Sequence, residues 1–335
     1  MQYVCVRIIR MDDVDLGLFD YDRNNALYYF IMNADEQIYM RYGGRDSESQ
    51  DTYLNLDSLA LALKKGLELH RHYQEGELKP RPRPKPVWAR DNPLLVERTF
   101  ARGQCVECHL IGDYQNLMRE REGTLDKTAS LFRAPDLHTI GIYLDVPKGL
   151  VVKEVTGAAR SAGLQPGDTV AALNGVTVWT FGDLQYQYDK VNRKATSVAL
   201  TVNRNGSPAL LTIALPKLWW LTDVRWRQSS VDPRVYFEDR PLTEAEKRQY
   251  RLRPDGFASM VKYVDAFARM MKSNELKVGD IIVAVDGVDH DEVAPNAELY
   301  IKLRKTPGDV VQLDVLRDGA RIRMPLRTYR MSFRK

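Results

Sequence analysis

The sequence lacks the long apolar runs that cross a bilayer. None of its uninterrupted hydrophobic stretches approaches the roughly 18 residues that a membrane-spanning helix needs. The amino terminus, MQYVCVRIIRMDDVD, has neither a long apolar region nor a small-residue cleavage site. We therefore predict no transmembrane span, and we find no export signal in the sequence as it stands.

Cysteine is scarce, with 3 residues in a chain of 335. This number does not suggest a disulfide framework. Two of the cysteines belong to one short motif, and Cys5 lies in the apolar run YVCVRII. That run predicts a strand with a buried free thiol.

A concentrated basic block and the common hydrolase motifs are also missing. The formal net charge is +4, and Lys and Arg are spread along the chain except in KPRPRPKP. We therefore predict no nucleic-acid partner. No G-x-S-x-G turn or H-E-x-x-H helix occurs. The sequence favours a protein that is not an enzyme, without deciding the question.

The sequence does contain one rare motif, Cys105-Val106-Glu107-Cys108-His109, within RGQCVECHLIGD. With 3 Cys and 5 His in the chain, such a string is expected by chance roughly 0.0004 times. We therefore interpret the motif as functional.

Attachment of haem c requires two thiols two residues apart on one helical turn, which form thioethers with the haem, and an adjacent histidine that binds the iron. Cys105, Cys108 and His109 have this order and spacing. We favour a haem c site with His109 as the ligand of the haem iron. The candidates for the second axial ligand are Met118 and His138, and an electron-transfer partner would follow.

Two alternatives for the motif stay open. A dithiol or disulfide also uses C-x-x-C, but the best-known pairs stand at a helix start after a strand of a thioredoxin fold. Zinc or copper would need a fourth ligand, which the chain does not clearly supply.

The second half of the chain contains a duplicated pattern. GLQPGDTVAALNGVTV, residues 163–178, aligns without gaps with ELKVGDIIVAVDGVDH, residues 275–290. Downstream, VALTVNRNG and VQLDVLRDG each combine an alternating strand with a hairpin turn. Two such units predict paired small β-rich domains.

The first copy, GLVVKEVTGAARSAGLQPGDTVAALNGVTV, resembles a PDZ domain of the bacterial type. The resemblance implies that the domain binds protein or peptide C-termini by adding them to a sheet edge, with the carboxylate held by amides of a glycine-containing loop. It places this loop in HTIGIYLD, at Thr139, Ile140, Gly141 and Ile142, with a threonine where the family usually has its first glycine. The alternative is that the stretch is only the first strand.

The second copy keeps the two turns and the hairpin and is similar to a PDZ domain in these features. In RPDGFASMVKYV, Gly256 and Phe257 are its weaker candidates for the binding loop. The connector before it contains Trp219, Trp220 and Trp226, which we expect to pack the two domains together. Thr243 and Glu246 predict a capping box at a helix start.

The first 76 residues predict a strand, YVCVRII, then a hairpin, ALYYFIMN to QIYMRYGG, then an amphipathic helix. This order resembles the C-terminal half of a thioredoxin fold. The half that would contain the family's cysteine pair is missing before Met1, and the family's proline before the hairpin is absent. A start codon assigned too far downstream is our hypothesis for both the missing half and the missing signal.

These features predict an α+β multidomain protein. Its predicted parts are a thioredoxin-like α/β segment (1–76), a stiff Pro/basic linker (77–90), a short helical C-x-x-C-H segment (91–135), a PDZ domain (136–216), a Trp-rich connector with a helix (217–248) and a PDZ-like domain (249–330).

Two functions remain from the sequence. We favour an extracytoplasmic, for example periplasmic, redox or electron-transfer scaffold with covalent haem c and PDZ-type binding of a peptide or protein. The alternative is a non-enzymatic PDZ peptide-binding adaptor in which C-x-x-C-H is a disulfide or a metal-binding clip.

Overall fold

The computed structural model describes residues 2–25, 27–222 and 229–331. The chain forms two compact units, Met1–Met118 with Thr128–Arg227, and Arg119–Lys127 with Gln228–Lys335. Helices accompany four separate sheets in the described residues. The predicted mixture of helices and antiparallel strands is confirmed.

The N-terminal part of the first unit is a hairpin followed by a helix, as predicted. Strands β1 (Tyr28–Met32) and β2 (Ile38–Gly43) pair antiparallel. Helix α1 (Leu56–Gln74) begins at Asn55, whose side chain accepts hydrogen bonds from two backbone N–H groups. Met40 is fully buried in the core between the hairpin and α1.

The predicted strand YVCVRII does not form. None of the described residues 2–25 belongs to a strand, and Val4 and Val6 are 90% and 79% exposed. Cys5 is a free and exposed thiol. The prediction of a buried thiol is wrong, because a segment without a neighbouring strand has no sheet face in which to bury its side chains.

The Pro/basic segment is extended, but it is attached to the first unit along its length. Leu16 donates its backbone N–H to the Val87 carbonyl at 2.7 Å, and the Arg83 guanidinium lies 3.1 Å from the Asp15 carboxylate. The linker predicted at residues 77–90 therefore contacts the N-terminal segment at its middle, through Arg83, and near its end, through Val87.

Three short helices follow: α2 (Pro93–Arg98), α3 (Cys108–Arg121) and α4 (Lys127–Leu131). Asn92 caps the start of α2 by accepting hydrogen bonds from two backbone N–H groups. A 3-10 turn ends at Gly103, which has a φ of 66° and reverses the chain before the C-x-x-C-H motif. Helix α2 therefore precedes the motif, and α3 begins within it.

The first PDZ-like copy contains two sheets, β3-β4 and β6-β5-β7-β8. Its elements in chain order are β3 (Ile142–Leu144), β4 (Val152–Val155), α5 (Gly157–Ser161), β5 (Thr169–Leu173), β6 (Val176–Thr177), α6 (Phe181–Asp189), β7 (Ser197–Arg204) and β8 (Ser207–Ala214).

The second copy contains one five-stranded sheet in the order β13-β12-β11-β10-β9. Its elements are β9 (Phe237–Pro241), α7 (Glu244–Gln249), β10 (Ser259–Val264), α8 (Ala266–Met270), β11 (Ile281–Val285), α9 (Ala297–Arg304), β12 (Val310–Arg317) and β13 (Ala320–Arg327). Helix α7 begins with the predicted capping box of Thr243 and Glu246.

Equivalent backbone bonds show how the copies correspond. In the first, Thr156 donates its N–H to the carbonyl of Gly141 at 2.9 Å, and in the second, Asp265 donates to Tyr236 at 3.0 Å. Gly141 and Tyr236 both have positive φ, 84° and 57°. Strand β9 therefore corresponds to β3, and β10 to β4.

This correspondence corrects two predictions for the second copy. A boundary at residue 249 separates β9 from the sheet to which it belongs. Gly256 and Phe257 precede the equivalent of β4, so they are not the counterparts of the first copy's loop. That position belongs to the residues just before β9, because residues 242–258, with α7, are inserted between the two strands.

The tryptophans of the connector pack within the first unit. The Trp219 ring lies 4.7 Å from that of Tyr188, and the Trp220 ring lies 5.2 Å from that of Phe132. Trp226 lies outside the described residues. These contacts place Trp219 and Trp220 in the core of the first unit.

One ion pair recurs in both copies and explains the repeated sequence. Asp168, the aspartate of the first G-D turn, accepts hydrogen bonds from the guanidinium of Arg204 at 2.8 and 2.7 Å. Asp280 and Arg317 repeat the arrangement, at 2.7 Å for both bonds. Both carboxylates are 2% exposed. This turn–hairpin ion pair joins the G-D turn to the hairpin that ends each copy.

Arg317→Met should destabilise the second unit, since it leaves the buried Asp280 carboxylate without its partner. We expect a loss of about 2–4 kcal/mol, because a buried charge without a partner is strongly unfavourable. Arg323→Met is the matched control, because the Arg323 side chain is 62% exposed beside Asp314 and exposed pairs contribute at most about 1 kcal/mol. Hydrogen exchange of the β11 and β12 amides measures both losses, and equal losses would contradict the assignment.

Candidate functional site

The C-x-x-C-H motif lies where α3 begins. Cys108 and His109 are the first two residues of α3, whereas Cys105 precedes the helix in irregular backbone. The two thiols therefore do not share one helical turn, although their order and spacing are kept. Both are free, with Cys105 exposed and Cys108 half-buried.

The contacts of the motif are mainly polar. Val106 is buried and donates its N–H to the Asp12 carboxylate at 3.3 Å. Burial raises the pKa of Tyr21 to about 12, and the adjacent Cys108 thiol adds to the rise. The Arg23 guanidinium lies over the Tyr21 ring, 5.1 Å from its centroid. These residues come from the N-terminal segment, which sequence analysis had not connected with the motif.

The structure does not bring Met118 to His109. Both residues belong to α3, nine positions apart. Nine residues of α-helix advance about 13 Å along the axis and place the two side chains on opposite faces. Two axial ligands of one iron must lie within a few ångströms of each other, so a continuous α3 excludes Met118 from this role.

His138 is engaged in the turn before β3. Its Nδ1 lies 3.3 Å from the Asp136 carboxylate, and its ring stacks on Tyr143 at 4.3 Å. The hydrogen bond to Asp136 raises the pKa of His138. These contacts give the imidazole a structural role, and no described contact places it beside His109.

The four predicted peptide-binding residues form a 3-10 turn and the start of β3. The turn runs over Leu137–Ile140 and is capped by the Asp136 side chain. Gly141 has a φ of 84°, and a Cβ there would lie 2.1 Å from the Thr156 carbonyl oxygen. Only glycine fits this position, which is a physical reason for the glycine noted in the sequence. Ile142 begins β3.

Three amides of this loop are already bonded inside the chain. His138 donates its N–H to Asp136 Oδ1 at 2.9 Å. Thr139 donates to the Asp136 carbonyl at 3.2 Å, and Gly141 donates to the His138 carbonyl at 3.0 Å. These amides are therefore already engaged within the turn, one by the Asp136 side chain and two by main-chain carbonyls.

Helix α6 lies beside this loop. Thr180 caps the helix start. Burial raises the pKa of Tyr188, near the helix end, and the neighbouring Thr139 side chain opposes the rise. The carboxyl-terminal end of α6 and the loop before β3 are thus close together.

The segment Arg41–Ser47 lies along α6. We name it the hairpin extension because it comprises the end of β2 and the four residues that follow it. Arg41 donates its N–H to the Asp183 carboxylate at 2.9 Å. Arg45 donates its N–H to Gln185 Oε1 at 3.2 Å and accepts a hydrogen bond from Gln185 Nε2 at 2.7 Å. The extension therefore runs in the same direction as α6.

The far end of the hairpin extension reaches the loop before β3. Ser47 donates its N–H to Asp136 Oδ2 at 3.0 Å. In the middle, a Cβ at Gly44 would lie 2.5 Å from the Phe181 ring. The side chain of Arg45 is buried and bonds Asp22 at 2.7 Å. Sequence analysis missed this contact; its only sequence signal is the pair of glycines at the end of QIYMRYGG.

The charge at the start of α6 is buried. Burial raises the pKa of Asp183 to about 6, and the N–H groups of Arg41 and Trp179 moderate the rise. The native state therefore favours the neutral acid up to about pH 6.

The corresponding region of the second copy is connected differently. The Asp239 carboxylate, on β9, accepts hydrogen bonds from the N–H groups of Ala297 and Glu298 at 3.1 and 3.2 Å. It also accepts hydrogen bonds from the side chains of Ser259 and Asn296 at 2.5 Å each. Asp239 thus joins β9 directly to the first turn of α9.

A metal centre at the C-x-x-C-H motif has no support from the positions of other ligands. In the described ranges, the group of three potential ligands that lie within 4.8 Å of one another is His72, Glu75 and Glu77. This group is at the end of α1, and His72 is bonded there to Glu77. It does not include Cys105 or Cys108.

No family model matches the chain, and no curated protein matches it. Solved structures similar to it include a variant of the HtrA-type protease AlgW with a decapeptide, at 15% identity and a TM-score of 0.27, covering 41% of this chain and 42% of that chain. AlgW with a tripeptide has 14% identity and a TM-score of 0.27, covering 51% and 63%.

The PDZ domain of EpsC from Vibrio cholerae is 29% identical over 20% of this chain and 77% of that chain, with a TM-score of 0.17. The chain is thus similar to PDZ-containing bacterial proteins, and it spans less than two thirds of either protease chain. At these TM-scores the likenesses do not carry an argument about function. In the described residues, no helix is both long and apolar enough to cross a membrane.

Asp183→Asn should change how stability depends on pH. A carboxyl whose pKa rises from 3.8 to about 6 on folding stabilises the native state fully below pH 3.8 and loses this contribution as the pH rises through 6. The variant lacks this loss. From pH 4 to pH 7 its free energy of unfolding should therefore rise relative to wild type by up to about 3 kcal/mol, measured by urea denaturation followed by tryptophan fluorescence.

Asp168→Asn is a control of opposite sign. Its bond to Arg204 holds the pKa of Asp168 below the usual range, so this carboxylate stabilises the native state above that range and less as the pH falls. The Asp168 variant should lose stability relative to wild type as the pH rises to about 5, and change little relative to it at higher pH. If both variants show the same sign, the assignment of Asp183 as a carboxyl whose pKa is raised by burial is incorrect.

Proposed function

We propose that the protein is a peptide-binding adaptor whose first PDZ-like copy binds an extended chain at the edge of β3. The observation that supports this most directly is that β3 pairs with β4 alone in the described part of the chain. Addition of a strand to such an edge is the binding mode of PDZ domains. Helix α6 and the turn before β3 would form the other walls of the site.

The first copy suits this function better than the second. In the second copy, Asp239 joins β9 to the first turn of α9, which closes that end of the space between strand and helix. Among the described residues, no side-chain hydrogen bond joins β3 to α6 in this way. The partner we propose is therefore a protein segment that binds at β3.

A C-terminal peptide library screened against the full chain should yield peptides that bind at micromolar concentration. Binding should slow hydrogen exchange in β3 and α6. Because the loop amides are bonded within the turn, amidating the peptide's carboxylate should change its Kd by less than about threefold, which is well below 1 kcal/mol.

Two results would count against this proposal. The first is the absence of any binder at micromolar peptide. The second is protection confined to β9 and α9, which would assign binding to the second copy instead.

As a second candidate function, we propose that C-x-x-C-H attaches haem c and that the protein then serves electron transfer in an extracytoplasmic compartment. The observation favouring it is that both thiols are free and the His109 side chain is 47% exposed. The donor set has the order and spacing for covalent attachment: Cys105 and Cys108 would hold the haem and His109 would bind its iron, with Cys105 joining the first turn of α3 on attachment. The group would supply one-electron redox chemistry.

Expression of the chain in the periplasm with a cytochrome c maturation system tests this second candidate. The expected result is a covalent mass increment of one haem and a Soret band. Cys105→Ser with Cys108→Ser is the control and should abolish both signals. Unmodified wild-type protein would exclude haem c and leave the disulfide and the metal clip as the remaining roles of the motif.

A further inference from the structure

The hairpin extension, Arg41–Ser47, has the properties of a ligand of the first PDZ-like copy. It is extended, and it lies against α6 and the turn before β3, two of the walls of the proposed binding site. Its backbone is bound by polar side chains of the copy at three points, Asp183, Gln185 and Asp136. In each of these bonds a backbone N–H of the extension donates to a side chain of the copy.

The bonds to Gln185 are specific for extended backbone. One side-chain amide accepts from the N–H of Arg45 and donates to its carbonyl. The two bonds together require both backbone groups of one residue to point towards α6. Thr180, at the start of α6, donates a further hydrogen bond to the carbonyl of Arg41.

The close approach of the two backbones depends on glycine. A Cβ at Gly44 would lie 2.5 and 2.6 Å from two atoms of the Phe181 ring, and the φ of Gly44 is 129°. A Cβ at Gly182 would lie 2.7 Å from the Arg41 carbonyl oxygen. The first turn of α6 and the hairpin extension are therefore fitted to each other at the level of the main chain.

We infer that the hairpin extension is an intramolecular ligand that competes with external peptides for the first copy. This inference rests on the proposed function and adds its regulation: an external chain must displace residues 41–47 to reach both β3 and α6. The ligand that the site accepts is an extended segment with a glycine opposite Phe181. Displacement would free the end of β2 from α6.

Gly44→Ala is the variant that separates the hairpin extension from α6, because the added methyl group meets the Phe181 ring. Gly76→Ala is its matched control: Gly76 also has positive φ, 75°, but a Cβ there meets no atom within 4 Å. Both substitutions impose an alanine on a left-handed backbone, and only the first creates the clash. Ser47→Pro, which removes the N–H bonded to Asp136, is a second separating variant.

The probe is a synthetic peptide of residues 38–49, added to the full-length variants at up to millimolar concentration. We expect it to bind Gly44→Ala and Ser47→Pro at least tenfold more tightly than wild type or Gly76→Ala, and to slow hydrogen exchange in α6. Equal binding to all four proteins, or binding to none, overturns the inference.

The same four proteins distinguish failure of the intramolecular-ligand inference from failure of the proposed adaptor function. Peptides selected from the library that protect β3 equally in wild type and Gly44→Ala would leave the adaptor function standing and remove the competition. Library peptides that bind none of the proteins would instead remove the adaptor function, while binding of the 38–49 peptide would still report on the hairpin extension.

Discussion

The first unit depends on how the chain satisfies its backbone hydrogen bonds at the end of β2 and in the residues that follow it. Residues 41–47 are largely buried, and buried N–H and C=O groups without partners are strongly unfavourable. In the described part of the chain β2 pairs with β1 alone, and α6 supplies further partners through the side chains of Asp183 and Gln185. The buried pair of Arg45 with Asp22 fixes the same segment from its other side. The N-terminal hairpin and the first PDZ-like copy are therefore one packed unit.

The turn–hairpin ion pair accounts for what the sequence predicted well. The buried carboxylate of each G-D turn requires a cationic partner. The Arg that precedes the hairpin turn supplies its guanidinium in both copies. The same two residue types therefore recur at equivalent positions of the duplicated pattern. The hairpin, α1, the capping box of α7 and the mixed α/β class follow from local patterns of the same kind, in which nearby residues decide the structure.

Contacts between distant segments could not be predicted in this way. The left-handed residue before the first strand is Gly141 in one copy and Tyr236 in the other, so residue type gave no sign that β9 corresponds to β3. The strand YVCVRII was predicted from its composition, yet it lacks a partner strand. The loop amides are bonded within a 3-10 turn, and propensity did not predict the position of that turn. The structure therefore differs from the sequence prediction mainly at positions where contacts between distant segments decide the conformation.

The central claim is that residues 41–47 bind against α6 and reach the loop before β3. Residue-resolved NMR of the full-length protein tests it most directly. The account predicts nuclear Overhauser effects between Gly44 and the Phe181 ring, and an Arg45 amide that exchanges as slowly as those of β2. Absence of these effects, together with an Arg45 amide that exchanges like exposed backbone, would contradict it.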